Sequence, residues 1–486
     1  MPSISAAPND PAPDTRPILF VECTNTYHSP VQTGIQRVVR NILRNAGAVA
    51  ADHGYRLVPV VFHGHQFREA DLAQVLAEKS FVPGMEAPAA ARPRRTARGL
   101  IVGTVRPVYR RTRRALARLL PFPAAQRFLF AHPVEFGLAW CVLLPWRLLR
   151  RAVFAVIPSL AVPKAADPAA LHDGFGISLE SIADHAGHVL LLLDASWGIP
   201  LWPAVERFQA AGGRTLGVIY DLVPLTHVET SVRSLHKEYV EWVSEHRRVS
   251  GRFLTISRTV AGELGAYLQT HEPTAPWTVT PFYLGSELDF IDPAAVIRPA
   301  VAALFGAETP VFIVVGSIEP RKNHRYILDA FDLLWDRGGT ARLVIIGRFG
   351  WKNEDVVARI LAHPHYGTRL HLVRDMADSE LDFAYRQASA LVIASETEGF
   401  GLPVVEAFQR GLPVLCSDIP VFREIADGRA HFFGLGDPAR LADVAGDFAA
   451  AETAQSRALR QKQPWLTWRE STEQLLDLAL APAVRN

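Results

Sequence analysis

Two short segments of this chain gather charge beside glycine. The first reads Gly316-Ser317-Ile318-Glu319-Pro320-Arg321-Lys322-Asn323. It follows an apolar run and precedes a helical pattern. Adjacent Arg321 and Lys322 suit an anion, because Arg grips a phosphate through two N–H groups and Lys adds a compact charge. The other reading is a solvated helix start. A cation beside the positive end of a helix is unfavourable unless an anion is bound there, which favours the phosphate. The second segment reads Ser395-Glu396-Thr397-Glu398-Gly399-Phe400-Gly401-Leu402-Pro403-Val404-Val405-Glu406. Its glycines let a ligand approach the backbone closely. Pro403 suits a first helical turn, and the N–H groups of that turn can receive a diphosphate. Glu406 falls one turn inside the helix, and a carboxylate there can accept hydrogen bonds from two vicinal hydroxyls, as on a ribose. Glu398 falls on the loop. The alternative for both is a pair of surface glutamates.

These segments need elements to position them. A chain of 486 residues is too long for one core, and two or three domains are expected. Apolar runs predict strands at Ile18–Glu22, Leu57–Phe62, Val189–Leu193, Thr215–Tyr220 and Phe253–Ile256 in the first half. Helical patterns cover Gly34–Asn45, Ser234–Arg247 and Ser257–Leu268. In the second half strands are predicted at Val311–Gly316, Arg342–Gly347, Leu370–Val373, Ala390–Ala394 and Pro413–Cys416. Helices near His324–Leu334, Glu354–Leu361, Ser379–Gln387, Pro403–Gln409 and Pro438–Ala449 separate them. Strand–helix alternation implies an α/β fold with parallel sheets covered by helices. The expected seam lies near Asp289–Pro299. Ligands of open parallel sheets bind at the carboxyl ends of the strands, where both charged segments fall.

The second half resembles the C-terminal domain of the retaining GT-B glycosyltransferases of family 4, over about Val311 to Phe433. Glu398 and Glu406 with the intervening Gly399-Phe400-Gly401-Leu402-Pro403 match that family's E-x7-E motif, and Gly316 to Asn323 matches its phosphate loop. The resemblance implies two Rossmann-like domains facing across a cleft. It implies that Arg321 and Lys322 contact the donor diphosphate, that Glu406 binds the ribose, and that Glu398 touches the donor sugar or acts as a nucleophile. Gly316, Gly399, Phe400, Gly401 and Leu402 would line the donor site. The first half is similar to the same family. There Gln32-Thr33-Gly34-Ile35-Gln36-Arg37 supplies the turn, at Gly34, that lets the diphosphate and acceptor come close. Tyr220-Asp221-Leu222-Val223-Pro224-Leu225-Thr226-His227 resembles the acceptor-side segment, with Asp221 the first catalytic or acceptor-positioning candidate and His227 the second. Asp194 and Trp197, after another strand, are further acceptor-side candidates, since an aromatic face stacks on sugars. For all four the alternative is a structural turn or packed-loop residue. The implied activity is hexosyl transfer from a nucleotide-diphosphate sugar to a glycan or polyprenyl-linked acceptor. The style of both N-terminal segments resembles bacterial surface-polysaccharide mannosyltransferases, so GDP-mannose is the first donor to consider. Alternatives on the same fold are a nucleotide-sugar epimerase, a glycogen-type phosphorylase or an inactive membrane-associated scaffold. No lysine stands out as the pyridoxal-bearing residue a phosphorylase needs.

Composition narrows the field further. Hydrophobic residues make up 49% and charged residues 21%, which excludes disorder throughout. Cys23, Cys141 and Cys416 lie far apart, so no disulfide framework or Cys-rich metal site is expected, in keeping with a cytoplasmic chain. The sequence holds no Asp-x-Asp, no G-x-x-x-x-G-K-[ST] and no G-x-S-x-G, so no metal or cofactor is expected. The pairs His63 with His65 and His363 with His365 are expected to be solvated loop residues. The net charge of +2 hides an asymmetry. Residues 85–165 carry 15 Lys+Arg against 2 Asp+Glu, a net of +13, which leaves −11 for the rest. Arginine clusters there flank apolar stretches with Trp140 and Trp146, but Glu135, Pro145 and Arg147 interrupt any spanning run. Two readings stand: an interfacial segment on an anionic membrane, or a helical hairpin packed on the first domain. Nucleic acid is disfavoured, since no recognised module accompanies the charge. The expected organisation is a disordered tail over 1–17, an acceptor-side domain over 18–290 with the basic insertion at 85–165, a nucleotide-sugar domain over 291–464, and a helix over 465–486 crossing back to the first domain.

Overall fold

Short runs of branched apolar residues become strands here because both faces of each are covered. Val311–Val315 reads VFIVV and Ala390–Ile393 reads ALVI, and nearly every residue of the two is buried. Such continuous runs belong to the middle of parallel sheets. The computed structural model describes residues 14–29, 34–77, 175–229, 233–271, 276–289, 291–306, 309–453 and 460–481. The basic insertion at 85–165, Gln32 and Thr33, and residues 1–13 of the expected tail lie outside the described residues.

The first sheet contains β1 (Ile18–Glu22), β2 (Arg56–His63), β3 (Gln66–Glu69), β4 (Val189–Leu192), β5 (Arg214–Ile219), β6 (Arg252–Thr255) and β7 (Thr278–Pro281). Their order is β3-β2-β1-β4-β5-β6-β7, with only β3 antiparallel. The second sheet contains β8 (Val311–Val315), β9 (Arg342–Ile346), β10 (Leu370–Val373), β11 (Ala390–Ile393), β12 (Val414–Ser417) and β13 (His431–Phe433), in the all-parallel order β10-β9-β8-β11-β12-β13. Each sheet reverses direction of growth once, between β1 and β4 and between β8 and β11. In sheets of this kind a crevice forms at such a reversal, outside the strands' carboxyl ends.

One apolar core joins the two sheets. Leu19, Val21 and Leu191 of the first sheet share it with Ile313, Leu391 and Val414 of the second. The amphipathic helix Gly34–Asp52 runs beyond the expected Asn45, because Val49 and Ala50 prolong its buried stripe. The last described helix, Trp468–Leu480, starts on a capping box of Thr467 and Glu470. It buries Leu475, Leu476 and Ala479 in the shared core and lies along Gly34–Asp52, where Arg469 approaches Asp52 at 3.5 Å and His53 approaches Asp477 at 3.2 Å. At the other end of the chain, the carbonyl of Pro17 already accepts from Arg56 N at 2.9 Å. Among the described residues, no helix is long and apolar enough to cross a membrane.

Candidate active site

The second sheet's crevice is built from the segments that leave β8 and β11. After β8 the chain turns at Gly316, whose φ of 140° suits glycine, and forms a tight helical turn at Pro320–Lys322. After β11 it forms the loop carrying Glu398, then Gly401 and the helix Leu402–Gln409. Glu396 N donates to the Arg321 carbonyl at 2.9 Å, which ties the two loops together.

Glu398 is the hub. Its Oε2 accepts from Arg321 Nη1 at 2.5 Å, and its Oε1 accepts from Lys322 Nζ and from Ser395 Oγ at 2.8 Å. Its side chain is only 8% exposed. Burial alone would raise this carboxyl, but Arg321 and Lys322 outweigh burial and hold it down at about 2. Arg321 is gripped on its other side by Glu319 Oε1 at 2.8 Å. Burial pushes the Glu319 carboxyl up, against the pull of Arg321 and Lys322.

Asp221, just beyond β5, meets this cluster from the first sheet. Gly399 makes the meeting possible, since a side chain there would run into the Tyr220 carbonyl at 1.8 Å and the Asp221 Cβ at 3.1 Å. Ser257 Oγ closes the junction by donating to the Gly399 carbonyl at 2.8 Å. Desolvation raises the half-buried Asp221 carboxyl, while Arg321 and Lys322 pull it down and Glu398 pushes it up. One crevice thus gathers two cations and three carboxylates: Arg321, Lys322, Glu319, Glu398 and Asp221.

Glu406 is held separately. It is 2% exposed. Its Oε1 accepts from Arg37 Nη1 at 2.6 Å and its Oε2 from the buried Tyr385 hydroxyl at 2.6 Å. Arg37 comes from the helix Gly34–Asp52, which Gly34 opens, so this ion pair bridges elements of the two sheets. A second bridge is Glu424, on the helix Pro420–Ala426, which accepts from Arg258 N at 2.7 Å and Thr259 N at 2.8 Å at the start of Arg258–His271.

The remaining candidates divide. Asp194 does not present a free carboxylate. It is buried, and its oxygens accept from Thr26 N at 2.5 Å and Ala195 N at 2.7 Å, so it pins the turn after β1 to the end of β4. Trp197 packs edge-on against Tyr239, and the Tyr239 hydroxyl donates to the Asp221 carbonyl at 2.6 Å, so Trp197 buttresses the Asp221 loop. His227 ends the short helix Val223–Thr226, with Nδ1 2.8 Å from Thr226 Oγ1. Phe400 is buried beside Tyr283 and Trp465 as a core ring, and Leu402 begins its helix. His363 departs from the expected solvated loop: its Nε2 lies 2.7 Å from Asp332 Oδ1 and its ring packs on Trp335. Among the described residues no group of three or more His, Cys, Asp or Glu is arranged to hold a metal ion. The sequence alone did not single out Glu319, Ser395, Arg37 or Tyr385. The first three lie inside the motifs already noted, whereas Tyr385 reads as an ordinary core position of the helix Asp378–Gln387.

Comparison with known proteins agrees with this geometry. Residues 302–442 match the family model described as glycosyl transferases group 1. The serotype-specific mannosyltransferase WbdA of Escherichia coli is 34% identical over 289 residues, which are 58% of this chain and 36% of that protein. O-antigen chain mannosyltransferase B of Escherichia coli is 31% identical over 176 residues, 34% of this chain and 44% of that protein. The chain therefore matches less than half the length of these curated relatives. Among solved structures, sucrose-phosphate synthase from Thermosynechococcus elongatus superposes with a TM-score of 0.50 at 14% identity, covering 96% of this chain and 95% of that one. The Anabaena HepE structure in complex with UDP-glucose gives a TM-score of 0.50 at 13% identity, covering 95% and 99%. These two likenesses show the GT-B fold. On that fold, residues 302–442 carry the domain that the glycosyl transferases group 1 model describes.

Proposed function

We propose that this protein is a retaining glycosyltransferase that moves a hexose from a nucleotide-diphosphate sugar to a glycan or lipid-linked oligosaccharide acceptor in surface-polysaccharide synthesis. The observation that carries the reading is the convergence of Arg321, Lys322, Glu398 and Asp221 at the crevice. In the reaction, the bond between the anomeric carbon and the diphosphate oxygen breaks. A bond from that carbon to an acceptor hydroxyl oxygen forms on the same face, and the hydroxyl proton leaves with the diphosphate. Arg321 and Lys322 stand where charge grows on the departing diphosphate, and fixed donors aimed at developing charge are among the strongest catalytic devices. Both cations already bond Glu398, but Lys has three donors and Arg five, so N–H groups remain for phosphate oxygens. Glu398 lies against the donor sugar, and Glu406 accepts the ribose hydroxyls. The backbone at Gly316, Gly399, Gly401 and Leu402 and the turn at Gly34 flank the diphosphate. Asp221 orients the acceptor, with Trp197 and His227 on the same side.

The mannosyltransferase names of the two relatives make GDP-mannose the first donor to test. A screen of GDP- and UDP-sugars for protection against thermal unfolding, followed by a transfer assay, decides it. Protection by GDP-mannose with sugar transfer is expected. Protection by a UDP-sugar alone replaces the donor, and protection by none overturns the reading. Absence of donor hydrolysis by purified, nucleotide-binding protein would favour an inactive scaffold. In this reading the two side-chain cations supply the charge that a divalent cation supplies elsewhere, and transfer is expected to persist in excess chelator.

The net +13 of residues 85–165 supports peripheral binding to an anionic membrane that carries the acceptor. Sedimentation with anionic vesicles that weakens in salt is expected. Equal sedimentation with neutral vesicles would count against it.

A further inference from the structure

Glu406 poses a problem of physical chemistry. It is an almost wholly buried carboxylate on a helix whose other buried residues, Val404, Val405, Ala407 and Phe408, are apolar. A buried carboxylate is costly unless it is paired and hydrogen-bonded. Tyr385 supplies one hydrogen bond from the helix Asp378–Gln387, within the same sheet's layer. It supplies no charge. The only cation bonded to the Glu406 carboxylate among the described residues is Arg37, 369 positions away in sequence and anchored on the first sheet's helix; Arg410 reaches only the Glu406 main-chain carbonyl, at 2.9 Å.

The bonding leaves acceptor sites unused. A carboxylate offers about four acceptor sites over its two oxygens. Arg37 takes one on Oε1 and Tyr385 one on Oε2, so one site per oxygen remains, which matches the two hydroxyls of a ribose. Arg37 is itself held in place. Its Nη2 lies 3.4 Å from Asp378 Oδ1, and its side chain is 17% exposed. Desolvation works against its charge, but Glu406, Asp378 and Asp289 outweigh desolvation and keep the guanidinium protonated.

Resting on the reading of Glu406 as the ribose acceptor, we propose that Arg37 is a positioning residue for nucleotide recognition. It aims the Glu406 carboxylate, and it does so from the opposite sheet, so the ribose subsite is complete only while the two sheets are closed on each other. A residue that merely latched the two halves would affect every nucleotide alike. A residue that positions Glu406 must affect the part of binding that depends on the ribose hydroxyls.

The test compares GDP and UDP with their 2′,3′-dideoxy forms, by calorimetry on the full chain. The proteins are the wild type, Arg37→Met, Arg37→Lys and Tyr385→Phe. Thermal unfolding checks that each variant is folded, and Arg37→Lys keeps the test open if Arg37→Met is not. The wild type is expected to bind at least one ribonucleotide about tenfold or more tighter than its dideoxy form, the scale of a charge-assisted hydrogen bond. Arg37→Met is expected to bring that ratio to within about threefold, with Arg37→Lys restoring part of it. Tyr385→Phe is expected to reduce the ratio less than Arg37→Met does. A wild-type ratio fully retained in both Arg37 variants overturns the role of Arg37 alone. A wild type that binds neither GDP nor UDP overturns the donor reading as well.

Discussion

The two sheets share the order of their strands, antiparallel β3 apart, and furnish its turning point differently. Each reverses its strand order once, and each places carboxylates beside the reversal. In the first sheet these are Glu22, the last residue of β1, and Asp194, just beyond β4. Both are buried, and both are tied to the main chain. Glu22 Oε1 accepts from Thr24 N at 2.8 Å, and Asp194 accepts from Thr26 and Ala195. In the second sheet Glu398 is tied instead to side-chain donors, two of them cations. The difference teaches what makes such a crevice chemical. Carboxylates tied to backbone N–H groups fasten turns and hold no cation to offer. A carboxylate paired with Arg and Lys holds two cations whose remaining N–H groups can meet an anion.

The largest expected effect is on the second crevice. Arg321→Ala removes a preorganised donor, and turnover with the sugar donor should fall by about 10²–10³-fold, measured at saturating donor on folded protein. A variant with near-normal turnover would mean that Arg321 only holds Glu398 in place. Next comes the first crevice, where the loss should be of stability. Asp194→Leu leaves the buried N–H of Thr26 and the partly buried N–H of Ala195 without their acceptor. Each unsatisfied group costs about 1–3 kcal/mol, partly offset by removing a negative charge beside Glu22. A loss of about 2–4 kcal/mol in denaturant unfolding is expected, with nucleotide affinity unchanged in the folded fraction. Lost affinity in a protein of unchanged stability would move Asp194 into the acceptor site and dissolve the contrast. Lys322→Ala ranks third. One charged hydrogen bond is worth about 1.5–3 kcal/mol, so turnover should fall by roughly tenfold or more while the unfolding midpoint moves little.

Much of this architecture was legible in the sequence, for a physical reason. Strands covered on both faces read as unbroken apolar runs, so those at Val311 and Ala390 stood out. Arg321 and Lys322 are adjacent, and Glu398 and Glu406 belong to one loop-and-helix segment, so local spacing revealed them. What escaped was marginal or distant. Gln66–Glu69, Thr278–Pro281 and His431–Phe433 are short strands at or beside sheet edges with mixed polar content, and they form because a neighbouring strand offers its hydrogen bonds. The helix Trp202–Ala210 was missed as well. Asp194 looked like a cleft residue because it follows a strand, but the turn that buries it lies far back in the chain, at Thr26. The pairing of Arg37 with Glu406 exists only once the two sheets meet, and no local pattern announces such a contact.

The smallest expected effect concerns Glu22, and its sign follows from burial. Among the described residues, Glu22 Oε2 makes no hydrogen bond of ordinary length and angle. Burial first, and then the neighbouring Asp194, push its carboxyl well above the ordinary range, against weaker pulls from Thr24 and from the Asp194 backbone. Asp194 is also raised, chiefly by burial. The folded protein therefore holds a proton here that the unfolded chain releases. The stabilising contribution is fully present below the unfolded carboxylate range and is lost as pH rises from there toward neutrality. Glu22→Gln replaces the protonated acid with a neutral group of the same shape and gives a donor to the side facing Asp194. It should change stability little at pH 5 and raise it by about 2–3 kcal/mol more at pH 8, at roughly 1.4 kcal/mol for each unit by which the carboxyl is raised. Denaturant unfolding of both proteins at the two pH values measures this. Equal pH dependence in the two would mean that Glu22 stays ionised in its buried place. The first crevice would then need a cation, as the second does, and the contrast between the two sheets would narrow to the one carboxylate, Asp194, that the main chain binds through both of its oxygens.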